Sequence, residues 1–177
     1  MQAARGAAVA AQSPDDPAAP RRTAWLVVTA VVVFIADVVS KVIVVATLSN
    51  RAPIVVIPHV LRLTLTRNSG AAFSVGTGST WLFTAVAVAV VVVIIRSARS
   101  LASRGWAISF GLLLGGALGN LTDRMLRAPG PLRGEVVDWL ELPHWPVFNV
   151  ADSAIVIGGV LAIVLALSGI ELDGSRR

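Results

Sequence analysis

The sequence predicts an α-helical integral membrane protein with four transmembrane helices and a small extracytoplasmic β-sheet, or cradle. Of its 177 residues 55% are hydrophobic and only 14% are charged, which is too apolar for a soluble domain of this size. Crossing the hydrocarbon core takes about 20 helical residues. Four apolar runs reach about that length, at residues 23–47, 79–96, 105–126 and 151–170.

The first run is predicted to be a retained helix within one four-span domain at residues 23–170. Arg21 and Arg22 precede it as in a secretory signal, but it is too long for one and three further runs follow. Residues 1–22 are rich in Ala and Pro without apolar periodicity, so a disordered cytoplasmic tail is predicted. Residues 171–177 are predicted to form a second cytoplasmic tail.

Arginines in the connecting segments predict the orientation. An even number of spans puts both termini on one side, which then holds eight arginines against six on the other. Because positive charge marks the inner side, both termini are predicted to be cytoplasmic. The charges are dispersed between apolar runs, so anionic lipid headgroups are expected as partners rather than nucleic acid.

Two extended segments are predicted between the spans. Leu61, Leu63 and Leu65 alternate with polar residues, a period of two that is typical of a strand with one apolar face. Residues 134–140 form a second extended segment between prolines. Both segments follow odd-numbered spans, so they are predicted to form a small sheet on the outer membrane surface.

The first span contains two charged residues, which are costly to place in a membrane. Asp37 and Lys41 each cost about 2.5 to 3.5 kcal/mol near a helix centre. Their i, i+4 spacing puts them on one helix face with the acid first, the favourable order for an ion pair. The pair is either a structural contact between helices or a support for a polar site, and both interpretations stay open.

The end of the third span carries Asn120, Asp123 and Arg124, whose spacing places them on one helix face. They are candidates for a polar site near the outer surface. The alternative makes Arg124 a snorkelling interface anchor and Asp123 its surface partner. Just upstream lies a small-residue face typical of helix packing, formed by Gly115, Gly116 and Gly119.

Two polar segments lie where spans begin. Asn149 is a good N-cap for the fourth span and Asp152 falls at its third position, which could simply satisfy free backbone N–H groups. Asn68, Ser69 and Gly70 form a predicted turn before the second span, with Gly70 able to adopt a positive φ.

Paired carboxylates are the chemistry that these residues favour. The chain has no cysteine, and no serine stands beside a plausible base, so triad mechanisms have little support. Two apposed carboxylates share a proton and together activate a water. If Asp138 and Asp152 form such a pair, the helix dipole favours Asp152 as base and Asp138 as acid. A metal site competes with this interpretation, but Lys41 and Arg124 would oppose a cation.

Five blocks of the sequence resemble the lipoprotein signal peptidases (signal peptidase II), over residues 24 to 170. The blocks are Asp37 to Lys41, Asn68-Ser69-Gly70-Ala71-Ala72-Phe73, Gly119-Asn120-Leu121-Thr122-Asp123-Arg124, Val136-Val137-Asp138, and Phe148-Asn149-Val150-Ala151-Asp152-Ser153. Each block alone is weak, but their order and spacing together are highly specific.

The resemblance implies a function and roles for residues. Members of the family cut the signal peptide from prolipoproteins before a diacylglyceryl-modified cysteine, at the outer face of the bacterial inner membrane and without a cofactor. By position, Asp138 and Asp152 are implied to be catalytic, and residues 54–66 to cradle the substrate. The implied supporting residues are Asp37, Lys41, Asn68, Gly70, Asn120, Asp123, Arg124 and Asn149. The expected partners are diacylglyceryl-prolipoproteins and membrane lipids, and a monomer is expected.

Two other classes compete with a peptidase. A small proton- or ion-coupled transporter also buries charged residues between helices, usually near the midplane and often with an internal repeat, which this sequence lacks. A non-catalytic membrane scaffold would keep the helices but would not need Asp138 or Asp152.

Overall fold

The computed structural model of the protein describes residues 22–70 and 80–177. Within these residues four helices are long and apolar enough to cross a membrane, as predicted. They are α1 (Thr23–Leu48), α2 (Thr80–Ser97), α3 (Arg104–Leu126) and α4 (Val150–Leu167). The predicted tail before Arg22 and the motif residues Ala71, Ala72 and Phe73 lie outside the described residues.

Helix α4 ends three residues earlier than predicted because the chain turns at Gly169. Gly169 has φ +67°, a left-handed conformation that favours glycine. Its N–H donates to the carbonyl of Ala166 at 3.1 Å, and the N–H of Ile170 donates to Leu165 at 3.1 Å. This pair of bonds is the Schellman ending of a helix, which local apolar character does not reveal.

Three strands form an antiparallel sheet in the order β1 (Ile54–Ile57), β2 (Leu61–Asn68) and β3 (Val136–Glu141). Leu63 and Leu65 of β2 pack with Val44, Leu48 and Val137, which confirms the predicted apolar face. The sheet therefore rests on the end of α1, and it carries β3 from the connection between α3 and α4.

Glycines let α3 approach its two neighbours closely. A Cβ atom at Gly115 would lie 2.6 Å from the carbonyl oxygen of Ala30 in α1. One at Gly116 would lie 2.6 Å from the carbonyl oxygen of Ala151 in α4. Real side chains do not reach such distances, so the small-residue face is a packing surface, as predicted.

The two ends of the bundle differ. The N–H of Arg22 donates to Leu101 at 3.0 Å, and the N–H groups of Ala102 and Ser103 both donate to Leu172 at 2.9 Å. The start of α1, the α2–α3 connection and the segment after α4 therefore meet at one end. The sheet, the end of α3 and the start of α4 lie at the other end, where the predicted site residues are found.

Candidate active site

A cavity of about 690 Å³ opens between α2, α3 and α4 at the sheet end of the bundle. Most of its lining is apolar, including Phe83, Val86 and Leu113. Six of the predicted site residues also line it, which are Asn68, Gly70, Asn120, Arg124, Asp138 and Asp152. The two carboxylates of the predicted pair thus face one common space.

Asp138 reaches the cavity from β3 and is only 1% exposed. Its Oδ1 accepts a hydrogen bond from Nδ2 of Asn149 at 2.6 Å, and its Oδ2 accepts one from Nδ2 of Asn68 at 2.9 Å. The pKa of Asp138 is raised from 3.8 to about 6, chiefly by burial. The charge of Asp152 contributes to this rise, and the two amide donors oppose it.

Asp152 stands in the first turn of α4. Nδ2 of Asn120 donates to its Oδ1 at 2.8 Å, and the N–H of Asn149 donates to its Oδ2 at 3.2 Å. The side chain of Asn149 in turn accepts from the N–H of Asp152 at 2.9 Å. This is a reciprocal capping box, so the predicted N-cap is confirmed, and the helix N-terminus stabilises negative charge at Asp152.

Asn149 connects the two carboxyl groups. Its side chain is fully buried, its Nδ2 contacts Asp138, and its backbone N–H contacts Asp152. The same Nδ2 lies 3.2 Å from Oδ1 of Asn120. One residue therefore bonds both members of the pair, although they come from a strand and a helix.

Asp37, Lys41 and Asp123 lie behind the cavity lining. The Lys41 ammonium is 2.7 Å from Oδ2 of Asp37 and 2.9 Å from Oδ2 of Asp123. Asp123 also pairs with Arg127. The alternative of an exposed Asp123–Arg124 surface pair is therefore wrong, since Asp123 is 4% exposed and its partners are Lys41 and Arg127.

Arg124 is buried rather than snorkelling. It is 7% exposed, and among the described residues its hydrogen bond goes to the carbonyl of Gly134 at 3.2 Å. Its guanidinium lines the cavity near the ring of Phe83. Beside it, Gly70 has φ +96°, and a Cβ there would lie 2.8 Å from Phe83. Gly70 is therefore required to be glycine by both conformation and space.

The loop before α4 forms a wall of the cavity that sequence reasoning missed. His144, Trp145, Pro146, Val147 and Phe148 all line the cavity. The sequence indicated only that prolines bound the extended segment at residues 134–140, and it assigned no role to the loop after that segment. The aromatic residues Trp145 and Phe148, close before the Asn149 cap in the sequence, were the available signal. In residues 22–70 and 80–177, no group of three or more His, Asp or Glu side chains is placed to hold a metal ion.

Replacing Gly119 by alanine is expected to disturb the site through Asp37, which lies behind the cavity lining. A Cβ at Gly119 would overlap the Asp37 carboxylate, which accepts a hydrogen bond from the N–H of Ala151. Overpacking of this kind costs about 1–3 kcal/mol. Gly119→Ala is therefore expected to lower the apparent melting temperature and the activity of the site. The matched control is Gly159→Ala in α4, where a Cβ meets nothing within 4 Å, and equal losses in both variants would contradict this account.

The fold and the site together define a class, a four-span membrane protein in which two carboxylates line one largely apolar cavity at one end of the bundle. The family model described as signal peptidase (SPase) II matches residues 29–168. The chain therefore belongs to the signal peptidase II family and is a peptidase. This membership favours the peptidase interpretation over the transporter and the scaffold.

Individual proteins agree with the family match. The chain is 48% identical over 165 residues to a lipoprotein signal peptidase of Rhodococcus jostii (strain RHA1), covering 93% of this chain and 83% of that protein. It is 49% identical over 167 residues to that of Mycobacterium tuberculosis (strain ATCC 25618 / H37Rv), covering 94% and 83%. A bacterial membrane enzyme solved by the in meso method at 1.9 Å superposes with a TM-score of 0.73 at 31% identity, covering 86% of this chain and 98% of that one.

Proposed function

We propose that this peptidase is an intramembrane aspartic endopeptidase that removes the signal peptide from diacylglyceryl-modified prolipoproteins, cutting directly before the lipidated cysteine. The observation that carries the proposal is that Asp138 and Asp152 line one cavity and are both hydrogen-bonded by Asn149. The substrate class comes from the relatives, which are named lipoprotein signal peptidases.

The raised pKa of Asp138 suits this residue to act as the acid, with Asp152 as the base. Asp152 takes a proton from water, whose oxygen attacks the scissile carbonyl carbon, while Asp138 gives its proton to the carbonyl oxygen. In the resulting diol the C–N bond then breaks. Asp152 passes its proton to the leaving nitrogen, and Asp138 regains one from a diol hydroxyl. The products are a signal peptide carboxyl group and a free amino group on the cysteine.

The apolar lining of the cavity suits an apolar signal peptide and acyl chains. Such a substrate partitions into the bilayer and reaches the enzyme by lateral diffusion, already oriented. Arg124, buried on the cavity wall, presents N–H donors to a substrate carbonyl or to the oxygen that gains charge during attack. Both carboxyls and their hydrogen-bond donors come from one chain, so a monomer suffices.

The same proposal places the site near the outer face of the bacterial inner membrane, with both termini cytoplasmic. The arginine bias along the chain supports this orientation. The position of the site at the end opposite to the start of α1 agrees with it. Water then enters from outside, while the lipidated substrate arrives from within the bilayer.

The proposal is tested with purified protein in lipid vesicles and two synthetic substrates. One is a prolipoprotein segment with a diacylglyceryl cysteine, and the matched one carries the unmodified cysteine. Mass spectrometry is expected to find cleavage before the cysteine in the lipidated substrate only. Cleavage at another bond, or equal cleavage of both substrates, would overturn the proposed specificity. Inhibition by a chelator would overturn the two-carboxylate mechanism.

A further inference from the structure

Lys41 is a buried cation that does not line the cavity. Its side chain is 1% exposed, and its ammonium contacts three oxygens, those of Asp37 at 2.7 Å, Asp123 at 2.9 Å and Asn120 at 2.9 Å. It donates a hydrogen bond to Asn120 and forms ion pairs with the two carboxylates. Lys41 is also the only lysine of the chain, which has fourteen arginines. A compact point charge suits three convergent acceptors, whereas a planar guanidinium does not.

We propose that Lys41 is a positioning residue that orients the amide of Asn120 toward Asp152 and holds the backbone in front of both catalytic aspartates. The inference rests on the proposed function, because it assigns Asp138 and Asp152 to catalysis. Lys41 acts only through its three neighbours.

The first link runs through Asn120. Its Oδ1 accepts from the Lys41 ammonium at 2.9 Å, so its Nδ2 faces Oδ1 of Asp152 at 2.8 Å. An ammonium cannot accept a hydrogen bond, so the reversed amide would set Nδ2 against Nζ of Lys41 and Oδ1 against the carboxylate. Nδ2 of Asn149 also donates to Oδ1 of Asn120, at 3.2 Å, and supports the same orientation. The charged ammonium of Lys41 is the stronger of these two donors.

The second link from Lys41 to the site runs through the carboxylates of Asp37 and Asp123. Asp37 accepts from the N–H of Ala151 at 3.0 Å, and Asp123 accepts from the N–H of Val137 at 3.1 Å. Ala151 directly precedes Asp152, and Val137 directly precedes Asp138. Asp37 and Asp123, which both contact Lys41, therefore each hold the backbone of the residue that precedes one of the two catalytic aspartates. Lys41 thus helps to set how far β3 stands from the start of α4.

Charge balance allows the positioning role to be separated from stability. Lys41 and Arg127 compensate Asp37 and Asp123 in the described part of the cluster. Lys41→Met leaves an uncompensated buried carboxylate and is expected to destabilise the fold. In Lys41→Met with Asp37→Asn the charges balance again, and the amide oxygen still accepts from Ala151. This double variant has no ammonium to orient Asn120.

The experiment measures kcat, KM and apparent melting temperature with the lipidated substrate. For Lys41→Met/Asp37→Asn the melting temperature is expected to recover toward the wild-type value, while kcat stays at least tenfold low and KM changes less than twofold. Lys41→Gln/Asp37→Asn restores a donor for Asn120 and is expected to regain part of kcat. Arg51→Met, which removes an exposed cation near the sheet, is the control and is expected to keep wild-type kcat.

Two outcomes overturn the role of Lys41 alone. One is wild-type kcat in Lys41→Met/Asp37→Asn, which would reduce Lys41 to charge balance. The other is equal kcat in the Met and Gln double variants, a comparison that holds even if both melt below the wild type. Wild-type protein that leaves the lipidated substrate uncut would overturn the proposed function as well.

Discussion

Asp138→Asn and Asp152→Asn are each expected to abolish cleavage of the lipidated substrate, with kcat lower by about 10³-fold or more. Each substitution removes one half of the proton exchange, since an amide neither takes a proton from water nor gives one to the scissile carbonyl. The measurement is single-turnover cleavage in vesicles, with apparent melting temperatures recorded beside it. The double variant is expected to be no worse than either single one, because the two groups act as a unit.

The control for these variants is Asp173→Asn. Asp173 is exposed in the segment after α4, at the opposite end of the bundle. This variant is expected to cleave at the wild-type rate. If either Asp138→Asn or Asp152→Asn also processes the substrate at that rate, the assignment of the pair is wrong.

Asn149→Ala is expected to have the second largest effect because this residue has two separable tasks. It caps α4, and losing an N-cap of this kind costs about 0.5–2 kcal/mol. It also donates to Asp138 at 2.6 Å, and a buried acceptor that loses its donor costs about 1–3 kcal/mol. The loss of that bond corresponds to a fall in kcat of about 10- to 100-fold.

Asn149→Ser separates the two tasks. Serine is a good N-cap but cannot reach Asp138 with an amide donor. Asn149→Ser is expected to melt above Asn149→Ala while its kcat remains similarly low. Recovery of kcat together with stability would show that Asn149 serves the helix and not the carboxyl pair.

Much of the architecture could be predicted because it depends on local properties. Apolar run length is enough to predict a membrane span, and alternation in residues 61–65 predicted the strand. The cap at Asn149 is likewise local, since it depends on residues within one turn, and the close spacing of Gly115 and Gly116 was enough to predict a packing face without its partner helices. These are the parts of the fold that the structure confirms.

The partners across the site could not be predicted, because they join distant parts of the chain. The N–H of Ala151 and the carboxylate of Asp37 are 114 residues apart. Spacing placed Asp123 on the same face as Arg124, but the helix turns its carboxylate toward Lys41 and β3 instead. The loop wall at residues 144–148 has no periodicity, so only the fold reveals that it closes the cavity.

We propose that the two carboxyls share one proton at the pH where the enzyme works, and infrared titration of the protein tests this. Burial raises the pKa of Asp138 to about 6, so its carboxylic acid band is expected to persist below pH 6, to fade above it and to be absent in Asp138→Asn. A band that fades near pH 3.8, or that survives unchanged in Asp138→Asn, would contradict the account.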